Sequence, residues 1–247
     1  MEETIEYIVQ LHEAGPDLKA RVKSLFNYMQ SSADRHSKSL GTSVSLMSGK
    51  NLTWVYSRFY AEVERYPDLY EKIFCRTWRS ELLNGLVSRE FVIGSVEGGL
   101  LVRATSTLAL IDKTTRKPVA IPEDITSKLE HGKERSINFS GNVVEHIDEF
   151  DYIFDIKARY DDIDINGHMN NASYADIFFE SAFENLKNPM IMKSIDILFR
   201  GEINYRDELE CGIKSLPDVP GRFYHRLFNK TKGRVSAHAK TEWIDKP

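Results

Sequence analysis

Cysteine is almost absent from this 247-residue chain, which has only Cys75 and Cys211. Two cysteines make no disulfide framework, so a reducing, cytoplasmic setting is expected. A basic excess is also missing. The net charge of −4 leaves no electrostatic footprint for nucleic acid. No apolar run approaches the ~18 residues that cross a bilayer. The opening Met1-Glu2-Glu3-Thr4-Ile5-Glu6 has neither a basic n-region nor an Arg/Ser bias, so no secretory or transit segment is expected. No Gly-x-Ser-x-Gly elbow occurs; Gly41-Thr42-Ser43-Val44-Ser45 fails at its last glycine. Zinc-type His/Cys spacings and Gly-rich phosphate loops are missing too, so neither a metal nor a cofactor is expected.

What is present is an ordinary globular balance, 41% hydrophobic and 28% charged, enough for one large domain or two small ones. Strand-like residues 4–11 lead to a helical stretch near 18–40, with Leu18, Val22, Leu25, Phe26, Met29, Ala33 and Leu40 mostly at helical spacing. His36 shares that face and reads as a core histidine. Strand candidates follow near 53–64, 69–79, 87–97 and 100–111, with Gly98-Gly99 as a turn signal. The second half repeats this order. A strand near 151–160 precedes a helix near 171–186, and strands follow near 193–203, 206–215, 221–230 and 234–244. Two short echoes support duplication. Tyr66-Pro67-Asp68 parallels Tyr205-Arg206-Asp207, 139 residues on, and Ile111-Asp112-Lys113 parallels Ile244-Asp245-Lys246, 133 residues on. One helix followed by a run of strands predicts an antiparallel sheet curled around that helix, an α+β fold. The boundaries are expected at 1–118 and 150–247, with a polar linker over 119–149.

The richest stretch is residues 160–174, Tyr-Asp-Asp-Ile-Asp-Ile-Asn-Gly-His-Met-Asn-Asn-Ala-Ser-Tyr. Asp164, Asn166 and His168 are two residues apart, and Asn170 and Asn171 follow just before a helical pattern. The alternation suggests an extended approach that aims the three toward one side. The helix start behind them would offer backbone N–H groups and the positive end of a dipole. Water activation and an oxyanion pocket are what acyl transfer needs. A calcium loop is rejected, because its twelfth position is Ser173 rather than a bidentate Glu.

Asp162 to Tyr174 resembles the Asp-x-Asp-x-Asn-x-His-x-Asn-Asn-x-x-Tyr signature of the acyl-acyl-carrier-protein thioesterases. Met29-Gln30, Leu40-Gly41, Trp54-Val55-Tyr56-Ser57-Arg58, Thr77-Trp78 and Arg89-Glu90-Phe91 are similar to that family's first-half motifs. The resemblance implies two tandem hot-dog repeats and release of free fatty acid from fatty acyl-carrier-protein thioesters; with no transit segment expected, the chain looks like a bacterial-type member or a processed chain. It also implies catalytic roles for Asp164, Asn166 and His168, and for an acid on a later strand, Glu202 in Phe199-Arg200-Gly201-Glu202. Plant members often carry cysteine after that acid. Here Ile203 follows, which favours direct attack by water. Because Ile195, Ile197 and Phe199 alternate, Glu202 falls on the opposite parity, and Gly201 is expected to mark a bulge that re-aims it. The competing reading of Glu202 is a solvated strand charge.

Substrate contacts are expected at Asn170 and Asn171, where a backbone N–H would hold the oxyanion, and at Leu25, Phe26 and Met29, which would line an acyl pocket or serve only as core. The first half offers Leu11-His12-Glu13-Ala14-Gly15-Pro16-Asp17 where the second carries its motif, so chemistry is assigned to the second half and chain-length choice mainly to the first. The expected partner is an acyl carrier protein, with no nucleic acid and no membrane span. A homodimer stays open, as do an acyl-CoA thioesterase and a non-catalytic acyl-binding module on the same fold.

Overall fold

The structure, a computed structural model, describes residues 2–126, 133–139, 141–145, 147, 149–183, 186, 190–216 and 219–246. The chain forms two compact units, Met1–Phe139 and Ser140–Pro247. The first unit contains β1 (Glu2–Ile8), α1 (Val22–Ser39), a short α2 (Val44–Gly49), β2 (Leu52–Val63), β3 (Lys72–Leu83), β4 (Leu86–Ser95), β5 (Leu100–Asp112) and the single turn α3 (Glu123–Thr126). The second contains β6 (Tyr152–Lys157), α4 (Asn171–Phe183), β7 (Met190–Phe199), β8 (Glu208–Ser215), β9 (Arg222–Asn229) and β10 (Arg234–Asp245). The strands and the two long helices lie close to their predicted ranges. The second helix is described to Phe183, residues 184–185 of its predicted range lie outside the described residues, and Leu186 is not helical; α2 and α3 were not anticipated.

Within the first unit the strand order is β1-β3-β4-β5-β2, all antiparallel. Within the second it is β6-β8-β9-β10-β7, again all antiparallel. Position for position these are the same order, so duplication is visible in topology as well as in sequence. In each, the long helix lies against the sheet.

The helix α1 forms because Val22, Leu25, Phe26, Met29, Ala33 and His36 fall on one stripe, and all are buried. Phe26 packs on Phe59 at 4.7 Å and Phe59 stacks on Phe91 at 5.5 Å, which fixes helix to sheet. Side chains of this size each stabilise the fold by ~1.5–3 kcal/mol on burial. The helix ends because Gly41 takes φ +67, where its N–H reaches the Lys38 carbonyl and the Thr42 N–H reaches that of Ser37 at 2.8 Å. His36 is a core histidine as expected, with 1% exposure.

The two cysteines occupy the same place in their repeats. Cys75 stands opposite Ile5 and Cys211 opposite Phe154 in the matching strand pair. Both are free and buried, and burial pushes each thiol up to about 12, so neither is a ready nucleophile.

The expected linker over 119–149 lies partly outside the described residues. Its residues 133–139 lie in the first unit. There the Ser136 N–H donates to Glu90 Oε2 at 3.0 Å, and Arg135 reaches Thr105, Ser88 and Glu81. Burial raises the Glu90 carboxyl above its usual range, against the hydrogen bonds from Ser80, Ser136 and Thr105.

Each unit also carries a tight turn before the third of its strands in chain order, β3 or β8, tied by one acid. In the first, the Asp68 N–H donates to Glu71 Oε2 at 2.8 Å, and Arg65 pairs with Glu71 at 2.7 Å. The Arg65 hydrogen bond, against the cost of burial, holds the Glu71 carboxyl down at about 2. A value depressed below the unfolded ~4.3 contributes stability above that pH, and the contribution disappears as pH falls toward about 2. Melting curves between pH 6 and pH 2 should therefore show Glu71→Gln less stable than the parent at neutral pH. The gap should close across that acid window. A gap independent of pH would remove the ionised Glu71 from the stability of this turn.

Candidate active site

The motif does not enter as an extended strand. A 3₁₀ turn at Tyr160–Asp162 leads into a closed turn. In it the Asp164 N–H donates to the His168 carbonyl at 2.8 Å and the Gly167 N–H to the Asp164 carbonyl at 3.0 Å. Gly167 takes φ +79, a left-handed conformation that closes the loop without a Cβ penalty. The Asp164 carboxylate accepts the Asn166 N–H at 2.7 Å and the Asn166 carboxamide at 3.4 Å. The period-2 expectation therefore fails, because Asp164 builds its own side-chain-to-backbone turn in place of a strand. Asn166 is exposed, and its neighbour Ile165 is 89% exposed.

Behind the turn, Asn170 caps α4. Its Oδ1 accepts the Ala172 N–H at 2.9 Å, as an Asn at this position should. Its own N–H donates to the Asp162 carbonyl at 2.7 Å. That bond removes the Asn170 N–H from the oxyanion role expected of it.

Glu202 reaches His168 across the chain: His168 Nε2 lies 3.2 Å from Glu202 Oε2. Three devices place it there. The N–H groups of Arg200 and Gly201 both donate to the Ser236 carbonyl, at 2.8 and 3.0 Å, so the end of β7 bulges as Gly201 suggested. A Cβ on Gly201 would stand 3.2 Å from Arg234 Nε, which leaves little room for a larger residue. The following carbonyls are then fastened one by one. Gly201 accepts the Tyr174 hydroxyl at 3.0 Å, Glu202 accepts Lys232 Nζ at 2.8 Å and Ile203 accepts the Met169 N–H at 2.8 Å. Met169 follows His168, so this last bond brings the two catalytic candidates side by side. Tyr174 is buried against Phe199, and burial raises its hydroxyl pKa, so it acts as a neutral donor.

Beneath this clamp lies Asp207, 6% exposed. It accepts the Asn204 N–H at 2.8 Å and Asn229 Nδ2 at 2.7 Å, and it pairs with Lys232 at 3.2 Å. Lys232 also donates to Asn204 Oδ1. Burial works to raise the Asp207 carboxyl, but the bonds from Asn204, Asn229 and Lys232 win and hold it below the ordinary range. Sequence reasoning did not single out Lys232, Asp207 or the Tyr174 hydroxyl. The only signal for Asp207 was its place in the Tyr205-Arg206-Asp207 echo.

The first unit builds the same turn without its chemistry. The Gly15 N–H bonds the Lys19 carbonyl, the Leu18 N–H bonds that of Gly15, and the Ala20 N–H bonds that of Pro67. Leu18 takes φ +60 where Gly167 takes +79. Gly15, Asp17 and Lys19 thus stand where Asp164, Asn166 and His168 stand, and Tyr66 stands where Glu202 does. The Tyr66 echo was three residues out of register, since Pro67 matches Ile203 and Tyr70 (φ +67) matches Arg206 (φ +68). Leu25, Phe26 and Met29 are all buried on α1, in the first unit.

A cavity of about 470 Å³ is lined by Glu2, Arg76, Trp78, Lys133 and Arg135 on the first unit, and none of the predicted site residues lines it. The side-chain geometry around His168 is the better guide to chemistry.

Comparison with known proteins agrees with the duplicated architecture. Residues 3–129 match the acyl-ACP thioesterase N-terminal domain and residues 145–245 its C-terminal domain. A chloroplastic palmitoyl-acyl carrier protein thioesterase of Arabidopsis thaliana is 25% identical over 97% of this chain, which spans 63% of that relative's length. A chloroplastic dodecanoyl-[acyl-carrier-protein] hydrolase of Umbellularia californica is 25% identical, with 97% of this chain and 67% of the relative covered. The solved 12:0-ACP thioesterase of that species superposes with a TM-score of 0.87 at 24% identity, covering 99% of this chain and 98% of that one. A putative oleoyl thioesterase of Lactobacillus plantarum gives 0.85 at 18% identity, over 100% of this chain and 97% of the other. The fold is two tandem hot-dog repeats, each a sheet around one long helix.

Proposed function

The chain belongs to the acyl-ACP thioesterase family, and from that membership we propose that it hydrolyses the thioester of fatty acyl-acyl-carrier protein and releases free fatty acid. The observation that carries the proposal is the His168–Glu202 contact at 3.2 Å beside the Asp164–Asn166 turn. With Glu202 accepting the Nε2 proton, a neutral His168 holds its lone pair on Nδ1. That nitrogen takes a proton from water as the oxygen attacks the thioester carbonyl carbon. The tetrahedral oxyanion collapses, the C–S bond breaks, and the proton passes to the leaving thiolate, giving a carboxylic acid and the carrier's thiol. Asn166 orients the substrate, Asp164 holds Asn166, and the positive end of α4 at Asn171 favours the oxyanion. Glu202 orients the ring and stabilises its protonated form. No cysteine attack is invoked, since Ile203 occupies the position after Glu202.

The second unit carries the chemistry and the first selects chain length through Leu25, Phe26 and Met29. The carrier protein is the partner. The reaction is placed in a reducing cytoplasm on the low cysteine content of the chain. No helix among the described residues is long and apolar enough to cross a membrane.

A panel of acyl-carrier-protein substrates of graded length, with the released acids identified by mass spectrometry, tests the reading. Accumulation of free fatty acid is expected; intact thioesters after prolonged incubation would refute it. Glu202→Ala should lower turnover by about tenfold or more through loss of the ring's orienting acceptor. Unchanged kcat would return Glu202 to the status of a solvated charge. Met29→Ala should move the preferred chain length by a few carbons without abolishing turnover, because one methylene is worth only ~1–3 kcal/mol. An unchanged product profile in folded Met29, Leu25 and Phe26 variants would reduce these residues to core.

A further inference from the structure

The interior of the first unit changes character along its length. Phe26, Phe59 and Phe91 form its apolar part. Two residues from Phe91 on β4, on the same face, stands Arg89, and directly opposite on β3 stands Arg79. They are 3% and 6% exposed. Like charges directly opposite repel, and a buried charge needs a compensating partner.

Among the described residues neither guanidinium has a carboxylate within ion-pair distance. Asp34 acts on Arg89 only at longer range, from the exposed side of α1. Their hydrogen bonds go to neutral groups. Arg89 donates to His36 Nδ1 at 3.1 Å, Thr77 Oγ1 at 3.3 Å and Ser37 Oγ at 2.9 Å. Arg79 donates to Thr42 Oγ1 at 2.8 Å. Arginine cannot accept, so His36 Nδ1 is the acceptor and its proton sits on Nε2. That Nε2–H and Arg79 Nη1 are buried with no hydrogen-bond partner among the described residues, and the nearest aromatic face to the Arg79 guanidinium is Trp54, 6.0 Å to its centre. Both unused groups are donors. Burial first, then the arginine charges, press the His36 pKa down to about 3, so the imidazole adds no third charge. Water could accept a hydrogen bond from either group, but it could not neutralise two charges.

We propose that Arg79, Arg89 and His36 form an anion site inside the first unit that takes a carboxylate or similar oxyanion, bound by Arg79 Nη1 and His36 Nε2–H. Paired guanidiniums match a planar carboxylate in charge and in donor geometry. The carboxylate has two sources. It is a free anion from solution, or it is the far end of an acyl chain that itself ends in a carboxylate. The second source rests on the reading of this unit as the acyl pocket.

The experiment melts the full chain in a titration of sodium acetate, with ionic strength held constant by sodium chloride. Tm should rise by about 5 °C across the titration, in proportion to the logarithm of acetate concentration once the site is filled, and Arg79→Met should abolish the response while melting at or above the parent in acetate-free buffer. A merely structural Arg79 would instead give a less stable variant and no acetate response in either protein. Should Arg79→Met fail to fold, Arg79→Lys retains the charge but not the Nη1 donor and should weaken the response at least about tenfold in acetate concentration. A second arm compares turnover of acyl-carrier-protein thioesters of one length ending in a methyl or a carboxylate group. A carboxylate preference that falls about tenfold or more in Arg79→Met identifies the chain end as the ligand, and equal handling alongside the acetate response identifies a free anion. Absence of thioester turnover would sink the acyl-pocket reading and leave the acetate arm decisive. No rise of Tm with acetate in the parent, or the same rise in Arg79→Met, overturns the site.

Discussion

Replacement of His168 by alanine is expected to cut thioester hydrolysis by at least ~10²-fold, with the protein still folded. The imidazole is about a quarter exposed and its ring contact is with Glu202, so its loss leaves the core intact while removing the proton acceptor. Asn166→Ala should cost a similar factor, since an exposed amide held by Asp164 has its effect on substrate and not on packing. The two variants should differ in kind. His168→Ala should lower kcat and flatten the rise of rate with pH that a neutral imidazole produces. Asn166→Ala should retain that profile. Circular dichroism and melting curves establish that both are folded. Near-parental turnover in either would remove that residue from the mechanism.

Asp207→Ala is expected to damage the fold first and activity second. Asp207 ties together the Asn204 N–H, the fully buried Asn229 and Lys232. Its removal strands a buried amide and leaves Lys232 with only neutral oxygens from Asn204 and Glu202. Truncation of one partner in such a network costs about 2–4 kcal/mol, or roughly 5–10 °C in Tm for a chain of this size. Asp207→Asn retains an acceptor and should cost about half as much. Because Lys232 also fastens the Glu202 carbonyl, activity measured well below the melting point should fall by a smaller factor than in His168→Ala. An Asp207→Ala protein that melts like the parent would show that the clamp beneath Glu202 is not held by this carboxylate.

The parts of the molecule that hydrophobic spacing reports were legible in advance. The α1 stripe from Val22 to His36 and the four strands after each helix follow directly from which side chains must be buried. Duplication was legible for the same reason, because two similar buried patterns need two similar sheets. Turn geometry was not legible in this way. Alternation at Asp164, Asn166 and His168 suggested a strand, but the Asp164 carboxylate captures the Asn166 N–H and Gly167 closes the loop. Local side-chain hydrogen bonds outweigh pattern in so short a segment. The echo of Tyr66 was misregistered because it followed residue names, whereas the turns align through the left-handed Tyr70 and Arg206. Proximity of Glu202 to His168 depends on one backbone bond between Met169 and Ile203 and on a bulge at Gly201. A glycine marks where a bulge can form, but the direction it gives to the next side chain is set by Ser236, Tyr174 and Lys232, from three other elements of the unit.

The proposed reaction requires the second unit to hold a thioester-hydrolysing site that acts on acyl chains carried by a protein. The most direct measurement is the rate of free-thiol release from one fatty acyl group presented as its carrier-protein, CoA and pantetheine thioesters, at equal concentrations. Release is expected from all three, with kcat/KM highest for the carrier protein. Thiol release from the CoA thioester alone would assign the protein another substrate, and no release from the carrier-protein thioester would overturn the proposed reaction.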